Sequence, residues 1–521
     1  MKGLIVTMPG GGKIRRIQFI KPGHPFLEMN TGPPLGPLSL AATVRQRHGD
    51  AIEMEVVQQV VEGLDASALE KRMHDFQADL IGLSVMSVDA REMHQAAAMA
   101  RRALPDAVII VGGPHVSVFF DKVLEDANID YAVLGEGEET LLEFIDRHDR
   151  GASMEGMLGL AYRGEDGRPV FAGPRPNIQD LDALPMVAWD LIDLQAYRKI
   201  LPMHLYSKGF PYAFLFTSRG CPYRCAYCHD ILGKTIRLRS PEKVLEEIDY
   251  LVKTKGVREL MIVDDCFNFN LDHAKRICDL IVERGIDVSI SFPNGLRADR
   301  MDHELIRKLK AAGCYAVTYA IESGSPRIQK LIRKNLNLDK ASEVIKMTDR
   351  EGIITQAFFM LGFPGETLQE IEETVQFALR HPLLGAWFFT VVVYPRMGLT
   401  ELARQEYPDH KVDWERKDFN YFSHVTLYEL ATGVNLPKVV RRAGLRFYSR
   451  PWVYYRTVWR MPWNRSFLKA HWHALKIYYI ALWREIADFF RGRKLPPPGP
   501  TVPMTFNRVR TVNSCKDRSE D

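Results

Sequence analysis

Between Arg16 and about Phe144, short apolar runs alternate with longer stretches whose apolar positions recur every three to four residues. That alternation predicts strands and amphipathic helices building a parallel sheet covered on both faces. The strand-like runs are RIQFI (16–20), IEMEVV (52–57), DLIGLSV (79–85), AVIIV (107–111) and DYAVL (130–134). Five of them predict a doubly wound, Rossmann-like domain over 14–150, with a ligand crevice beyond the carboxyl ends of the strands. Those ends are rich in small residues: Ser84, Gly112-Gly113-Pro114-His115 and Gly135-Glu136-Gly137-Glu138. Small residues there let a bulky ligand approach the backbone. The run GLAYRGEDGRPVFAG predicts a β-hairpin turning at Asp166-Gly167, and with a polar, proline-bearing connector it fills 151–205.

A second series occupies 206–400. Its strand-like runs are AFLFTS (213–218), ELMIVD (259–264), DVSISF (287–292), YAVTYAI (315–321), IITQAFFML (353–361) and AWFFTVVVY (386–394), separated by helical patterns. Six βα units in this span predict a partial (β/α)6 barrel with its chemistry at the strand C-termini. After Tyr394 the strand pattern stops. Residues 401–495 read as mostly helical, and 496–521, opening on PPPGP, as a disordered polar tail.

Composition excludes intrinsic disorder for the bulk of the 521 residues: 46% are hydrophobic and 26% charged, and the length suits two or three domains. The N-terminal MKGLIVTMPGGGKIRR lacks a proper apolar h-region and a small-residue cleavage site, so no signal peptide is expected, and no apolar run reaches transmembrane length. The net charge of +4 conceals an asymmetry, since residues 438–494 hold fourteen Lys and Arg against two acids, interleaved with Trp, Tyr and Phe. Three readings of that stretch stand open: contact with anionic lipid, grip on an anionic substrate, or helices covering the barrel with aromatics inward and Arg outward. Nucleic acid is not expected, because the remainder is net acidic and carries no recognition module.

Only seven cysteines occur, three of them within eight residues, in TSRGCPYRCAYCHD directly after the first barrel strand. That is a ligand pattern rather than a disulfide framework, and it implies a reducing, cytoplasmic setting. Cys221, Cys225 and Cys228 on a four-iron cluster would leave one iron open to an outside ligand. Structural zinc with His229 as fourth ligand competes, but zinc sites generally use two separated ligand pairs and no second pair is present. Cys266, Cys278, Cys314 and Cys515 stand singly and read as core or tail residues.

The CPYRCAYC run, with Tyr227 before the last cysteine, resembles the radical SAM superfamily. The loops IVDDCFNFN, NGLRAD, AIESGS and MLGFPGET resemble those lining the S-adenosylmethionine (SAM) pocket in its cobalamin-associated branch. The resemblance implies a [4Fe–4S] cluster whose open iron chelates SAM and, on one-electron reduction by an external donor such as flavodoxin or ferredoxin, yields a 5′-deoxyadenosyl radical. It puts Arg297, Glu322 and Ser323 near the SAM amino acid or ribose, and Gly362, Phe363, Pro364 and Gly365 near the adenine. The chemistry of these types suits that use, since a cation pairs with a carboxylate and a carboxylate with hydroxyls or an ammonium.

In the N-terminal domain, KPGHPFLEMNTGPPLG after the first strand lacks the GxGxxG of a dinucleotide site. Instead PPLGPLSLAATVRQ, GLSVMS, VGGPHVS and VLGEGEETLLEFI resemble the cobalamin-binding domain fused to radical SAM enzymes. The DxHxxG of histidine-ligated cobalamin domains is missing, so the resemblance implies cobalamin without a lower histidine. It also places Ser84, Gly112 and Gly113 along the nucleotide tail, with Gly135 and Glu136 nearby. His24 and His115 read as ordinary loop histidines, and a degenerate domain that kept its fold without its cofactor is the alternative. Together the resemblances imply methyl transfer to an unactivated carbon of a small-molecule or lipid substrate. Ring formation or oxidation, as in anaerobic porphyrin cyclisation, and a non-catalytic cobalamin or redox sensor are the rivals. The expected location is cytoplasmic, with peripheral contact at the inner membrane surface if the basic aromatic stretch binds lipid.

Overall fold

The computed structural model describes residues 12–23, 32–200, 207–410, 426–460, 463, 465–491 and 510–511. The chain divides into two compact units, 1–200 with 505–521 and 201–504.

In the first unit, β1 (Arg16–Lys21), β2 (Glu53–Gln58), β3 (Leu80–Ser84), β4 (Val108–Gly112) and β5 (Tyr131–Val133) pair in the order β2-β1-β3-β4-β5, every pair parallel. The order reverses between β1 and β3, and such a switch point opens a crevice at the strand C-termini. Ile17, Ile20, Leu80, Ile81, Ile109 and Val111 are wholly buried, which is why these strands read as continuous apolar runs instead of alternating. The helices fill both faces; that over Ala66–Phe76 starts where the Asp65 side chain accepts the Ala68 N–H.

The predicted hairpin forms as β6 (Leu160–Arg163) and β7 (Pro169–Phe171). β6 pairs antiparallel with β5, so the hairpin extends the sheet and buries Leu160 and Ala161 completely. Arg510–Thr511 lie parallel beside β7. The rest of the 496–521 tail, Cys515 and the His24 loop lie outside the described residues.

In the second unit, β8 (Tyr212–Leu215), a two-stranded ladder of β9 (Ser218–Arg219) and β10 (Arg237–Leu238), β11 (Glu259–Ile262), β12 (Ser289–Leu296), β13 (Cys314–Glu322), β14 (Ile354–Leu361) and β15 (Gly385–Thr390) follow in turn. The main sheet runs β8-β11-β12-β13-β14-β15, all parallel and in sequence order. Sequential order without a switch is the arc of a barrel, here with six strands. The outer helices begin at side-chain caps the sequence supplies: Ser240, Asn270, Asp302 and Asn337 each accept an N–H three residues on, and Thr367 with Glu370 forms a capping box.

The last strand is shorter than its apolar run, because from Val391 the chain leaves the sheet and turns into the helix Gly398–Glu406. That helix sets Leu399 and Ala403 into an apolar cluster with Phe363, Val391 and Val393. The helix Leu436–Tyr448 packs Leu436 and Ala443 against Leu361, Ile371 and Val375. Burying Leu436 fully contributes about 2 kcal/mol. Among the described residues no helix is long and apolar enough to cross a membrane.

Candidate functional site

The three motif cysteines sit on the loop that β8 feeds at its carboxyl end, and the β9–β10 ladder closes the neck of that loop, pairing Ser218 with Leu238 and Arg219 with Arg237. Gly220, next to the neck, has φ +86, and a Cβ there would come within 2.4 Å of Thr235 O, so the turn into Cys221 requires glycine. Below the neck, buried Asp264 at the end of β11 accepts the Thr217 N–H at 2.7 Å and the Thr217 and Ser218 hydroxyls at 2.5 and 2.6 Å. Within the loop the Cys221 N–H donates to Gly233 O and the Cys228 N–H to Cys225 O. Ala226 is tied on both sides, its N–H donating to Ile332 O at 2.8 Å and its carbonyl accepting the Leu399 N–H at 2.6 Å. Backbone bonds to two distant elements fix the thiols' positions relative to the barrel mouth.

Tyr227 lies over the apolar cluster around Phe363, the two rings 5.9 Å apart. Its hydroxyl stands 3.4 Å from Glu322 Oε1 and accepts from Lys334 Nζ at 3.0 Å, while Lys334 also bonds Glu322 Oε1 at 3.2 Å. Glu322 and Lys334 are both buried, and Glu322 ends β13 with φ +67, a left-handed conformation that an ordinary strand residue avoids. The sequence reading missed Lys334, which has no motif of its own.

Arg297 is engaged elsewhere. It pairs with Asp299 (Nε–Oδ1 2.8 Å, Nη2–Oδ2 3.1 Å), donates to Lys334 O and lies 4.0 Å above the Tyr223 ring. Ser323 is wholly buried, its hydroxyl bonded to Thr374 Oγ1 and accepting the Ser325 N–H. Of the residues proposed for the SAM amino acid and ribose, only Glu322 thus joins Tyr227 and the cysteine loop by direct side-chain bonds.

In the Gly362-Phe363-Pro364-Gly365 turn every amide N–H has an internal partner. Glu366 Oε2 accepts those of Gly362 (2.6 Å) and Phe363 (3.0 Å), and the Tyr407 hydroxyl accepts that of Gly365 (3.0 Å). Proline has none, so the turn offers a base its carbonyl oxygens. Burial pushes Glu366 up to about 8.

The turn is also held from Arg327, whose Nη2 donates to Gly365 O at 2.6 Å while Nε and Nη2 clasp Glu370 at 2.6 and 2.8 Å. That guanidinium holds the Glu370 carboxyl down to about 2 from an ordinary 4.5. A depressed carboxylate contributes stability that is present above the unfolded value and lost as pH falls through the folded one. Glu370→Gln should therefore cost about 1–2 kcal/mol at neutral pH, allowing for screening at exposed Arg327. It should also flatten the loss of stability between about pH 4.5 and pH 2. Urea midpoints measured across that range check this, and an acid limb as steep as the parent's refutes it.

Burial raises the Cys228 thiol to about 12 and lifts Cys225 as well, each thiol further raised by its neighbours. Cys221 falls below the ordinary thiol range because the buried Cys266 thiol hydrogen-bonds it, so Cys266, a core cysteine by sequence, stands against the motif. Cations face the thiols: Lys334 and Arg297 act on Cys225, and Lys234 on Cys228. Among the described residues no three His, Cys, Asp or Glu side chains converge where one metal ion could sit. A four-iron cluster takes its thiolates on different irons and needs no such convergence. The donor set of half-buried thiols beside three cations therefore fits a cluster, whose assembly would expel the thiol protons.

In the first unit Ser84, Gly112, Gly113, Gly135 and Glu136 all lie at the carboxyl ends of β3, β4 and β5. Gly113 has φ +99 and a Cβ there would stand 2.7 Å from Val85 O, so the chain passes β3 at a separation only glycine allows. The Gly135 N–H donates to Ser117 Oγ, and Glu136 accepts the Ile178 N–H at 2.8 Å. His115 stacks on Phe119, its Nδ1 3.3 Å from Ser87 Oγ, and burial lowers it to about 4, so the ring is neutral. At the switch point burial depresses the Lys21 ammonium and raises Asp89 to about 6, the two charges offsetting each other's shifts.

Comparison with known proteins agrees with both units. A model of the radical SAM superfamily matches residues 215–378, and one of the B12 binding domain matches 29–145. An uncharacterized methyltransferase of Pyrococcus horikoshii is 30% identical over 486 residues, 92% of this chain and 99% of the relative. The cytidylyl-2-hydroxyethylphosphonate methyltransferase of Streptomyces wedmorensis is 31% identical over 381 residues, 67% of this chain and 71% of the relative. The solved radical SAM methyltransferase TsrM from Kitasatospora setae shares the fold, with a TM-score of 0.62 at 20% identity over 75% of this chain and 76% of that one. The cysteine loop at the mouth of a six-stranded arc, the doubly wound unit before it and these relatives together make the chain a member of the cobalamin-dependent radical SAM methyltransferase family.

Proposed function

We propose that this enzyme holds a [4Fe–4S] cluster on Cys221, Cys225 and Cys228, takes SAM at the remaining iron, binds cobalamin in its first unit without a lower histidine, and methylates an unactivated carbon of a small molecule. When bound, the cluster supplies the electron that cleaves SAM and cobalamin supplies the methyl carrier. The observation that carries the reading is the thiol loop beyond β8 with its flanking cations. Support for the cofactors comes from TsrM, described with cobalamin and a [4Fe-4S] cluster bound.

The chain's own groups have definable tasks. Lys334, Arg297 and Lys234 offset the negative charge that three thiolates bring together. Tyr227 and Phe363 keep an apolar, water-poor wall beside the thiols, which protects reactive species from stray hydrogen donors. Glu322 offers a carboxylate to the SAM ribose or ammonium, its position fixed by Lys334 and Tyr227. The turn from Gly362 to Gly365, braced by Glu366, Arg327 and Tyr407, presents carbonyls to the adenine. In the first unit Ser84, Gly112 and Gly113 admit the nucleotide tail of cobalamin, with Gly135 and Glu136 beside it. The electron comes from an external donor of the flavodoxin or ferredoxin class.

Product analysis tests the reading. After anaerobic loading with iron, sulfide and hydroxocobalamin, incubation with SAM and a low-potential reductant should give both S-adenosylhomocysteine and 5′-deoxyadenosine. 5′-Deoxyadenosine alone would move the enzyme to the ring-forming or oxidising chemistry, and neither product would make it a sensor.

A further inference from the structure

Past Phe447, which is buried, most of the described rings of the basic aromatic stretch face outward. In the helices Pro451–Arg460 and Arg465–Arg491, Trp459, Trp472 and Trp483 are 72%, 74% and 69% exposed, and Tyr454, Tyr455, Tyr479 and Ile480 are exposed with them. Elsewhere among the described residues exposed large apolar side chains are scattered singly, as at Met86, Leu158 and Val282, and single ones are ordinary on any soluble surface. Concentration of rings on two consecutive helices marks a binding surface.

The long helix shows how the surface is built. Leu468, Trp472, Leu475, Tyr479, Trp483 and Ile486 recur at intervals of four, three, four, four and three, so they share one stripe about 27 Å long on the 27-residue helix. Lys469, Lys476 and Arg484 fall along one flank of that stripe. Tyr478, off the stripe, bonds Ser449 Oγ at 3.0 Å, which ties the helix to the rest of the unit by a different face and leaves the stripe outward. Around it, residues 438–494 hold fourteen basic side chains against two acidic ones.

We propose that the helix Arg465–Arg491, with Trp459 from the helix before it, is a docking surface for an anionic lipid bilayer and lies in the plane of the headgroups. The chemistry selects this partner on two counts. Trp and Tyr settle at the boundary between acyl chains and headgroups, while Lys and Arg flanking an apolar stripe reach up to lipid phosphates. A second copy of the chain would set one strongly basic stretch against another, and the repulsion opposes it. A soluble polyanion would use the charges and leave the large apolar stripe in water. The helix does not span, since it is not apolar enough to cross a membrane. Docking of this kind does not depend on the proposed reaction, and it would bring the enzyme to a surface where apolar substrates are concentrated.

Flotation of the full-length chain with phosphatidylcholine–phosphatidylglycerol vesicles, against phosphatidylcholine alone and at low and high salt, tests the proposal. The expected result is binding to the anionic vesicles at low salt, with tryptophan emission shifted to the blue and shielded from an aqueous quencher. Binding should weaken about tenfold in Trp472→Ala/Trp483→Ala and about a hundredfold in Lys469→Glu/Lys476→Glu/Arg484→Glu. Circular dichroism and the rate of SAM cleavage without vesicles should be unchanged in both variants. Should either variant misfold, the unmodified chain decides through lipid charge, salt and quenching. No flotation at low salt overturns the proposal, as does equal binding to neutral vesicles. So does release from vesicles by duplex DNA with no spectral shift at any stage, or a dimer that hides the tryptophans from quencher without lipid.

Discussion

Replacing Cys221, Cys225 or Cys228 singly by alanine is expected to abolish stable iron binding and to lower SAM cleavage by at least about a thousandfold. Each thiolate would hold a different iron, so losing one opens a second iron to solvent and leaves the cluster on two ligands. The loop itself should survive, because its shape depends on the β9–β10 ladder and on the Ala226 bonds to Ile332 and Leu399, not on the sulfurs. Cys278 and Cys314, both buried in the barrel wall, are the controls. Their alanine variants should lose about 1–2 kcal/mol of stability through a small cavity and keep iron and turnover. Iron and sulfide per chain, the visible absorption of the anaerobically loaded protein and 5′-deoxyadenosine formation read the outcome. One motif variant with full iron and parental turnover would refute the assignment.

Much of this arrangement is legible in the residue pattern because strands buried on both faces must be apolar throughout and bounded by polar or glycine-rich turns. All eleven strand-like runs of the two sheets lie where strands form, and the order of the units follows from them. The thiol motif is legible because three cysteines at short spacing have few other uses. Less visible are partners brought together by topology. β11 neighbours β8, so Cys266 in the loop after β11 meets Cys221. Lys334 reaches Glu322 because the chain turns back through positive φ at Arg333 and Asn335 after a short helix. Arg297 looked free to meet a carboxylate, yet Asp299 two residues on satisfies it first. That the hairpin joins the sheet through β5 is not legible, since its short strands carry no sign that β5 would otherwise be an unprotected edge. Nor does composition alone say whether Trp472 and Trp483 point in or out; that is settled by which face Tyr478 ties down.

Outside the thiols, Asp264→Ala should be the most damaging single change, costing about 3–5 kcal/mol and loosening the cluster's hold on the chain. Among the described residues Asp264 is the side chain that accepts from the Thr217 N–H and from the Thr217 and Ser218 hydroxyls, all buried at the neck between β8 and the cysteine loop. Alanine strands three donors away from water; each costs about 1–3 kcal/mol, less than additively for neighbours. Asp264→Asn keeps the shape and one acceptor oxygen, and the hydroxyls can rotate to the new amide, so its cost should be nearer 1–2 kcal/mol. The two also differ in pH response. Burial raises the Asp264 carboxyl from 3.8 to about 6, so the stability it contributes is full below 3.8 and drains away as pH rises through about 6. Asparagine does not titrate, and the gap between the parent and Asp264→Asn should therefore narrow from pH 4 to pH 7. Urea unfolding of the iron-free chain over that range measures the gap, and iron retention after gel filtration measures the hold on the cluster. If the gap widens with pH, or if Asp264→Ala keeps its iron and its unfolding midpoint, the neck of the cysteine loop is held by something other than this carboxylate.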